Sequence, residues 1–151
     1  MYDLQEIYQE LVMDHSRRPR NSKRLEKPDR QAEGFNPLCG DQLSLYLAIE
    51  DDLITDVGVE TKGCAISKAS ASLMTESIKG KSIEEAHKIF EGFRRMLTRV
   101  PSEEDDADLL GDLEALSGVS QYPARIKCAT LSWHTLQSAL LEKQEATSTE
   151  Q

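Results

Sequence analysis

Apolar residues along the chain follow two rhythms. Leu4, Ile7, Tyr8, Leu11 and Val12 recur at the 3.6-residue spacing of a helix with one apolar face. Asp3 with Glu6 has the form of a capping box, so a helix is expected over about residues 3–15. Leu43, Leu45, Leu47 and Ile49 alternate with Gln42, Ser44, Tyr46 and Ala48, the period of two of a half-buried strand. Glu50-Asp51-Asp52 makes a turn, and the stretch from Leu53 to Glu60, with Thr55, Val57 and Val59 on one side, reads as the antiparallel return, closed by Gly63. Helical spacing resumes over 65–79, with Ile66, Ala69, Leu73 and Met74 inward and Gly80 as the cap. Ala65, Ala69, Ser70, Ala71 and Ser72 give this helix a small-residue side that another backbone can approach closely. Ser82 and Glu85 form a second capping box, and Ile83, Ala86, Phe90, Phe93 and Leu97 carry that helix forward. Leu109, Leu110, Leu113 and Leu116 suggest a short helix ending at Gly118. Pro123 suits the first turn of a last helix, whose apolar face of Ile126, Ala129, Trp133, Leu136 and Leu140 runs to about Lys143. A helix, then strands, then a run of helices make an α+β domain.

Length sets the domain count. At ~150 residues per domain, 151 residues imply one; it is expected over 1–144, with a polar tail at 145–151. The net charge of −9 argues against a general nucleic-acid binder, which needs a basic footprint. No apolar run approaches the ~18 residues of a membrane span. Asp3 and Glu6 stand where a secretory leader carries bases, so the expected compartment is the cytoplasm. Charge is unevenly spread. Residues 16–30 hold Arg17, Arg18, Arg20, Lys23, Arg24, Lys27 and Arg30 against Glu26 and Asp29. This basic loop reads either as a solvated linker or as a docking patch for an acidic partner. Residues 102–115 hold seven acids and no base, and their first part is expected to be a mobile surface loop.

Three cysteines are too few, and odd in number, for a disulfide framework. Their positions are more telling. Cys39 lies in a turn feeding a strand, Cys64 where a strand hands over to a helix, and Cys128 about one turn into the last helix. In an extended segment, residues i and i+2 point the same way, so Cys39 and Asp41 can reach one point, and Gly40 between them leaves that point uncrowded. With Cys64 and Cys128 they offer three sulfurs and one oxygen, a tetrahedral set suited to Zn²⁺ and poor for Mg²⁺ or Ca²⁺. As the only oxygen donor, Asp41 is expected to be the most exchangeable. No Cys-x-x-Cys anchors this reading, and three unrelated buried cysteines remain the alternative. Arg125 and Lys127 beside Cys128 either steady a thiolate or persulfide electrostatically or simply solvate the helix. His15 is expected at the surface and His87 exposed. His134 is six residues from Cys128, about 240° around the helix, and should not share its face.

Asn36-Pro37-Leu38-Cys39-Gly40-Asp41, Gly63-Cys64-Ala65-Ile66-Ser67 with Ala69-Ser70-Ala71-Ser72, and Arg125-Ile126-Lys127-Cys128-Ala129 with Leu131-Ser132-Trp133 resemble the U-type iron–sulfur cluster assembly proteins, the IscU/SufU family. The likeness covers about residues 2–143. It implies a single domain with a small antiparallel sheet packed by several helices, and a metal or cluster site at Cys39, Asp41, Cys64 and Cys128. The family's scaffold branch has a His directly before its last cysteine, where this chain has Lys127. That branch also has a Leu-Pro-Pro-Val-Lys chaperone-docking segment, where this chain reads Ser120-Gln121-Tyr122-Pro123-Ala124-Arg125, and it lacks an acidic insertion like that at about 98–118. All three departures resemble the SufU branch, whose members bind zinc and accept sulfur from a pyridoxal-phosphate cysteine desulfurase. They count against a stable [2Fe–2S] cluster and a chaperone partner. The resemblance thus implies a zinc-bound sulfur carrier in iron–sulfur biogenesis, serving downstream assembly proteins. Cys39 is the expected acceptor, because its turn is least tied to regular structure. Tyr2, Leu4 and Tyr8 of the first helix and Arg17, Arg18 and Arg20 of the basic loop are the expected docking residues. Two alternatives stay open: a scaffold assembling a transient [2Fe–2S] cluster, or binding iron, on the same residues, and a structural zinc module that accepts no sulfur.

Overall fold

The structure, a computed structural model, describes residues 4–37, 39–98, 106–141 and 147–148. In chain order its elements are α1 (Leu4–Arg17), β1 (Arg30–Asn36), β2 (Asp41–Glu50), β3 (Leu53–Lys62), α2 (Ala65–Ile78), α3 (Ile83–Thr98), α4 (Asp106–Leu110), a 3₁₀ helix (Gly111–Gln121), α5 (Pro123–Leu140) and β4 (Thr147–Ser148). Tyr2, the first part of the acidic stretch (residues 99–105) and most of the polar tail lie outside the described residues.

Asp51 and Asp52 adopt φ of 51° and 64°, the paired left-handed residues of a two-residue hairpin turn whose twist suits antiparallel strands. This turn joins β2 to β3. Leu43, Leu45 and Leu47 of β2 lie opposite Thr61, Val59 and Val57 of β3 and share one inner face. Fully burying each aliphatic side chain there stabilises the fold by about 1.5–3 kcal/mol. A bulge at Ala48/Ile49 then changes the parity of β3. Ile54 goes into the core and Thr55 points out, whereas unbroken alternation places Thr55 on the side of Val57.

The sequence pattern does not announce β1. Its inward positions are Ala32, Gly34 and Asn36, none a large apolar residue. They are small because α5 lies directly on them: a Cβ at Gly34 would run into Thr135 Oγ1 and sit 3.2 Å from Leu131 Cδ1. The sheet order is β3-β2-β1-β4, antiparallel through β1, β2 and β3, with β4 pairing in parallel along Gly34 and Phe35.

Helices α2 and α5 cover the inner face of the sheet, and α1 packs on α2. The small-residue side of α2 meets α5, where Ser70 Oγ donates to the carbonyl of Ala129 at 2.5 Å. The Ser82/Glu85 capping box forms, with reciprocal bonds of 3.1 and 3.2 Å. Trp133 is fully buried, stacked on Phe90 at 5.8 Å and tilted against Phe93 at 5.2 Å. The leucines at 109–116 divide between α4 and the 3₁₀ helix, which runs on past Gly118 to Gln121. Helix α5 ends at Leu140, short of Lys143.

Residues 18–29 are not a solvated linker. They run along the free edge of β3 and over the outer face of the sheet. The Val59 N–H donates to the carbonyl of Asn21 at 3.0 Å, Lys23 pairs with Asp56 at 3.0 Å, and the Arg24 guanidinium lies 5.7 Å over the Tyr46 ring. The strap thereby covers an edge that would otherwise offer unpaired backbone groups.

His15 is likewise not at the surface: it is 2% exposed. Ser72 Oγ receives the Arg20 N–H at 2.8 Å and shares a hydrogen bond with His15 Nδ1, 2.7 Å away. His15 Nε2 lies 3.8 Å from Glu76 Oε1. The α1 pattern could not foresee this, because the partners, Ser72 and Glu76, lie far along the chain on α2. Burial lowers the His15 pKa below 6.5, aided by Arg20 and opposed by Glu76, Asp14 and Asp112. Burial also lowers that of His134, aided by Arg94. A histidine held neutral in the fold contributes stability above the unfolded pKa of 6.5, which is lost as pH falls toward its folded value. The urea midpoint is therefore expected to fall between pH 7 and pH 5, above the range where carboxylates titrate. His15→Gln should flatten that fall; an unchanged slope in the variant would refute the role given to His15.

Candidate metal centre

Four side chains converge at the end of the sheet where β1 meets β2. Cys39 stands in the β1–β2 turn, held by its N–H to the carbonyl of Asn36 at 3.3 Å, with Gly40 N–H on the same oxygen at 2.8 Å. Gly40 adopts φ 74°, and a Cβ there would meet nothing within 4 Å. It is the left-handed backbone that favours glycine at this position, rather than the crowding expected from the sequence.

Cys64 is the N-cap of α2, its Sγ accepting from Ser67 N–H at 3.4 Å. A thiol thus takes the place of the usual hydroxyl at the helix N-terminus. Asp41 opens β2 and is fully buried. Its Oδ1 accepts the Cys64 N–H at 2.8 Å, and its Oδ2 lies 3.8 Å from Cys64 Sγ. Gly63 makes room for this carboxylate, since a Cβ there would sit 2.9 Å from Asp41 Cγ. The carboxylate expected to be the most exchangeable donor is therefore pinned through one oxygen, with the other directed at the cysteine.

Cys128 is fully buried on α5, its Sγ 3.5 Å from Cys39 Sγ. Donor atoms of Cys39, Asp41 and Cys128 all lie within 4.8 Å of one another, and Cys64 joins them through Asp41. The structure thus contains a Cys/Asp cluster able to hold a metal ion.

Electrostatics point the same way. Burial pushes the Cys128 thiol well up, and hydrogen bonding to Cys39 and Asp41 and the negative charge of Cys64 and Asp41 act in the same direction. Among the described residues, exposed Arg125 is the cation that feels the cluster: its pKa is raised by hydrogen bonding to Cys128 first and then by the charges of Cys128, Cys64 and Cys39. Four donors that bind metals as anions cannot share a largely buried site at full charge without more positive charge than one guanidinium brings. Three sulfurs and a carboxylate oxygen are a donor set suited to zinc or iron and poor for magnesium or calcium.

The other singled-out residues divide. Lys127 is half-buried, and its side chain makes no ion pair or hydrogen bond among the described residues. Arg17 and Arg18 are exposed, whereas Arg20 is held by Asp14 at 2.5 Å and Glu76 at 3.9 Å. Tyr8 donates to Glu114 Oε2 at 3.2 Å and lines a groove of about 600 Å³ with Val12, Ile66, Leu116, Tyr122 and Arg125. His87 is half-buried rather than exposed and accepts from Gln137 Nε2 at 2.9 Å. His134 packs edge-on against Phe90 at 5.6 Å, away from the cluster. Asn36, to which the sequence reading gave no role, is fully buried beside the cysteines. Its one signal in the sequence was its place three residues before Cys39, at the start of the cysteine-bearing turn. No helix of the described residues is long and apolar enough to cross a membrane.

The chain is similar to known proteins in sequence and fold. The family model of the NifU-like N terminal domain matches residues 7–129. The zinc-dependent sulfurtransferase SufU of Bacillus subtilis is 43% identical over 94% of this chain and 95% of its own length. The iron–sulfur cluster assembly scaffold protein IscU of Streptococcus pyogenes is 40% identical over 91% of this chain and 84% of its own. Among solved structures, a SUF-system assembly scaffold protein from Fervidobacterium islandicum superposes with a TM-score of 0.83 at 36% identity, covering 91% of this chain and 99% of that one. By matched length, shared identity and fold, this chain belongs to the NifU-like N-terminal domain family, among its IscU/SufU proteins.

Proposed function

We propose that this protein is a zinc-bound sulfur carrier in iron–sulfur cluster biogenesis, accepting persulfide sulfur from a cysteine desulfurase and passing it to downstream assembly proteins. The observation that carries the reading is a gradient of access. Cys39 is exposed, Cys64 intermediate and Cys128 buried. A sulfur donor on another protein can reach the first without disturbing the last. Cys39, Asp41, Cys64 and Cys128 would hold the zinc, which supplies positive charge that keeps their thiols ionised.

The chain's own part is a thiol–disulfide type exchange. The Cys39 thiolate attacks the outer sulfur of the donor's cysteine persulfide. A sulfur–sulfur bond forms at Cys39, the donor's sulfur–sulfur bond breaks, and the donor cysteine leaves as a thiolate. No outside oxidant or reductant is needed. Arg125, whose guanidinium feels the charges of Cys128, Cys64 and Cys39, would steady the new persulfide anion. We assign docking to the first helix and the segment after it, with Tyr8 on one side of that helix and Arg17 and Arg18 exposed at its C-terminal end; Arg20 is paired with Asp14 and contributes less free charge. The resemblance of the Bacillus subtilis sulfurtransferase supports the carrier reading. The scaffold description of the Streptococcus relative names its rival, a [2Fe–2S] cluster assembled on the same residues.

The two separate on anaerobic incubation with a pyridoxal-phosphate cysteine desulfurase, cysteine and ferrous iron. The carrier stays colourless, holds about one zinc, and gains sulfur at Cys39 that reducing agent removes. A brown protein containing iron and sulfide, with no sulfur on Cys39, would overturn the carrier reading in favour of the scaffold.

A further inference from the structure

Asn36 touches more of the cluster than any one ligand requires. It closes β1 directly across from Asp41, its cross-strand partner. Its carbonyl accepts the N–H groups of both Cys39, at 3.3 Å, and Gly40, at 2.8 Å, so it sets the turn that presents Cys39. Its side-chain Nδ2 donates to Cys128 Sγ at 3.7 Å. The side chain is fully buried, and only the amide nitrogen can face a sulfur that carries negative charge; the amide oxygen would repel it.

We propose that Asn36 is a positioning residue of the metal centre, one that fixes the Cys39–Cys128 sulfur pair and withdraws electron density from the Cys128 thiolate through an N–H···S hydrogen bond. The chemistry of the position is selective. An aspartate would set a negative charge against the sulfur, an apolar side chain would leave the sulfur without its donor, and glutamine is one methylene too long for a fully buried site. Outer partners of this kind orient the ligands and tune the metal they hold. The inference rests on the zinc reading above.

The test uses Asn36→Leu and Asn36→Ser, which both keep the backbone carbonyl that holds the turn. Circular dichroism of the metal-free proteins reports the fold. Competition with a chromophoric chelator reports zinc affinity, and the thiolate-to-metal charge-transfer band of the Co²⁺-loaded proteins reports electron density on sulfur. Zinc binding should weaken roughly 10–100-fold, and the cobalt band should move to lower energy, because a thiolate freed of its hydrogen bond donates more readily. Weakened zinc binding with an unmoved band would reduce Asn36 to packing and overturn the proposal, as would wild-type affinity and band in either folded variant. Loss of the metal-free fold in both variants would also overturn it. A wild-type protein with no cobalt–thiolate band would instead refute the zinc reading, and this inference with it.

Discussion

With Cys128→Ser the protein should lose its zinc on dialysis, and its melting temperature should fall to that of the metal-free wild type. Cys128 is fully buried, stands against both Cys39 and Asn36, and sits on the helix that covers the inner face of the sheet. A ligand at about a thousandfold excess over its dissociation constant stabilises a fold by about 4 kcal/mol, which for a domain of this size corresponds to roughly 8–16 °C. Serine is nearly the same size as cysteine, so the packing loss is small beside this. Calorimetry of wild type and variant, each with zinc and with chelator, separates the two contributions: only the zinc-loaded samples should differ strongly. Full zinc occupancy and unchanged melting in the variant would remove Cys128 from the ligand set.

The second large effect falls on chemistry rather than stability. Cys39→Ser should abolish sulfur acceptance from the desulfurase, a loss of at least about 10³-fold as expected when a lone nucleophile is removed, and the protein should stay folded. The contrast follows from position. Cys39 stands exposed in a turn whose shape depends on the carbonyl of Asn36 and the left-handed Gly40, neither of which needs the thiol. Alkylating Cys39 in the wild type gives the same readout without mutation. If the modified protein unfolds, the structural zinc module is the better description; if it stays folded and still accepts sulfur, the acceptor is another cysteine.

Much of this was legible in the sequence where a residue's partners are near it in the chain. The α1, α2, α3 and α5 patterns, the β2–β3 hairpin and the Ser82/Glu85 cap all rest on spacings of a few residues, and all form. Strand β1 could not be read, because its inward side is Ala32, Gly34 and Asn36: the closeness of α5 replaces the apolar alternation that marks a strand. The strap at 18–29 looked like a linker because the groups that hold it, Tyr46, Asp56 and Val59, belong to strands far along the chain. His15 looked solvated for the same reason, with Ser72 and Glu76 out of sight on α2. At the centre, residue types and element ends pointed to Cys39, Asp41, Cys64 and Cys128. Their distances, and the place of Asn36 among them, depend on how β1, α2 and α5 meet.

The sulfurs of Cys39 and Cys128 are 3.5 Å apart although 89 residues separate them in the chain. That separation fixes an order of events. In a small zinc finger, neighbouring ligands capture the ion early and the ion then gathers the fold around it. Here an unfolded chain offers only Cys39 with Asp41 as a nearby pair, and bringing in the remaining donors means closing long loops against chain entropy. The ion therefore cannot act as a nucleus. It meets a complete set of donors only after the β1–β2 turn, the start of α2 and the start of α5 have come together, so occupancy of the centre acts as a late checkpoint on finished tertiary structure.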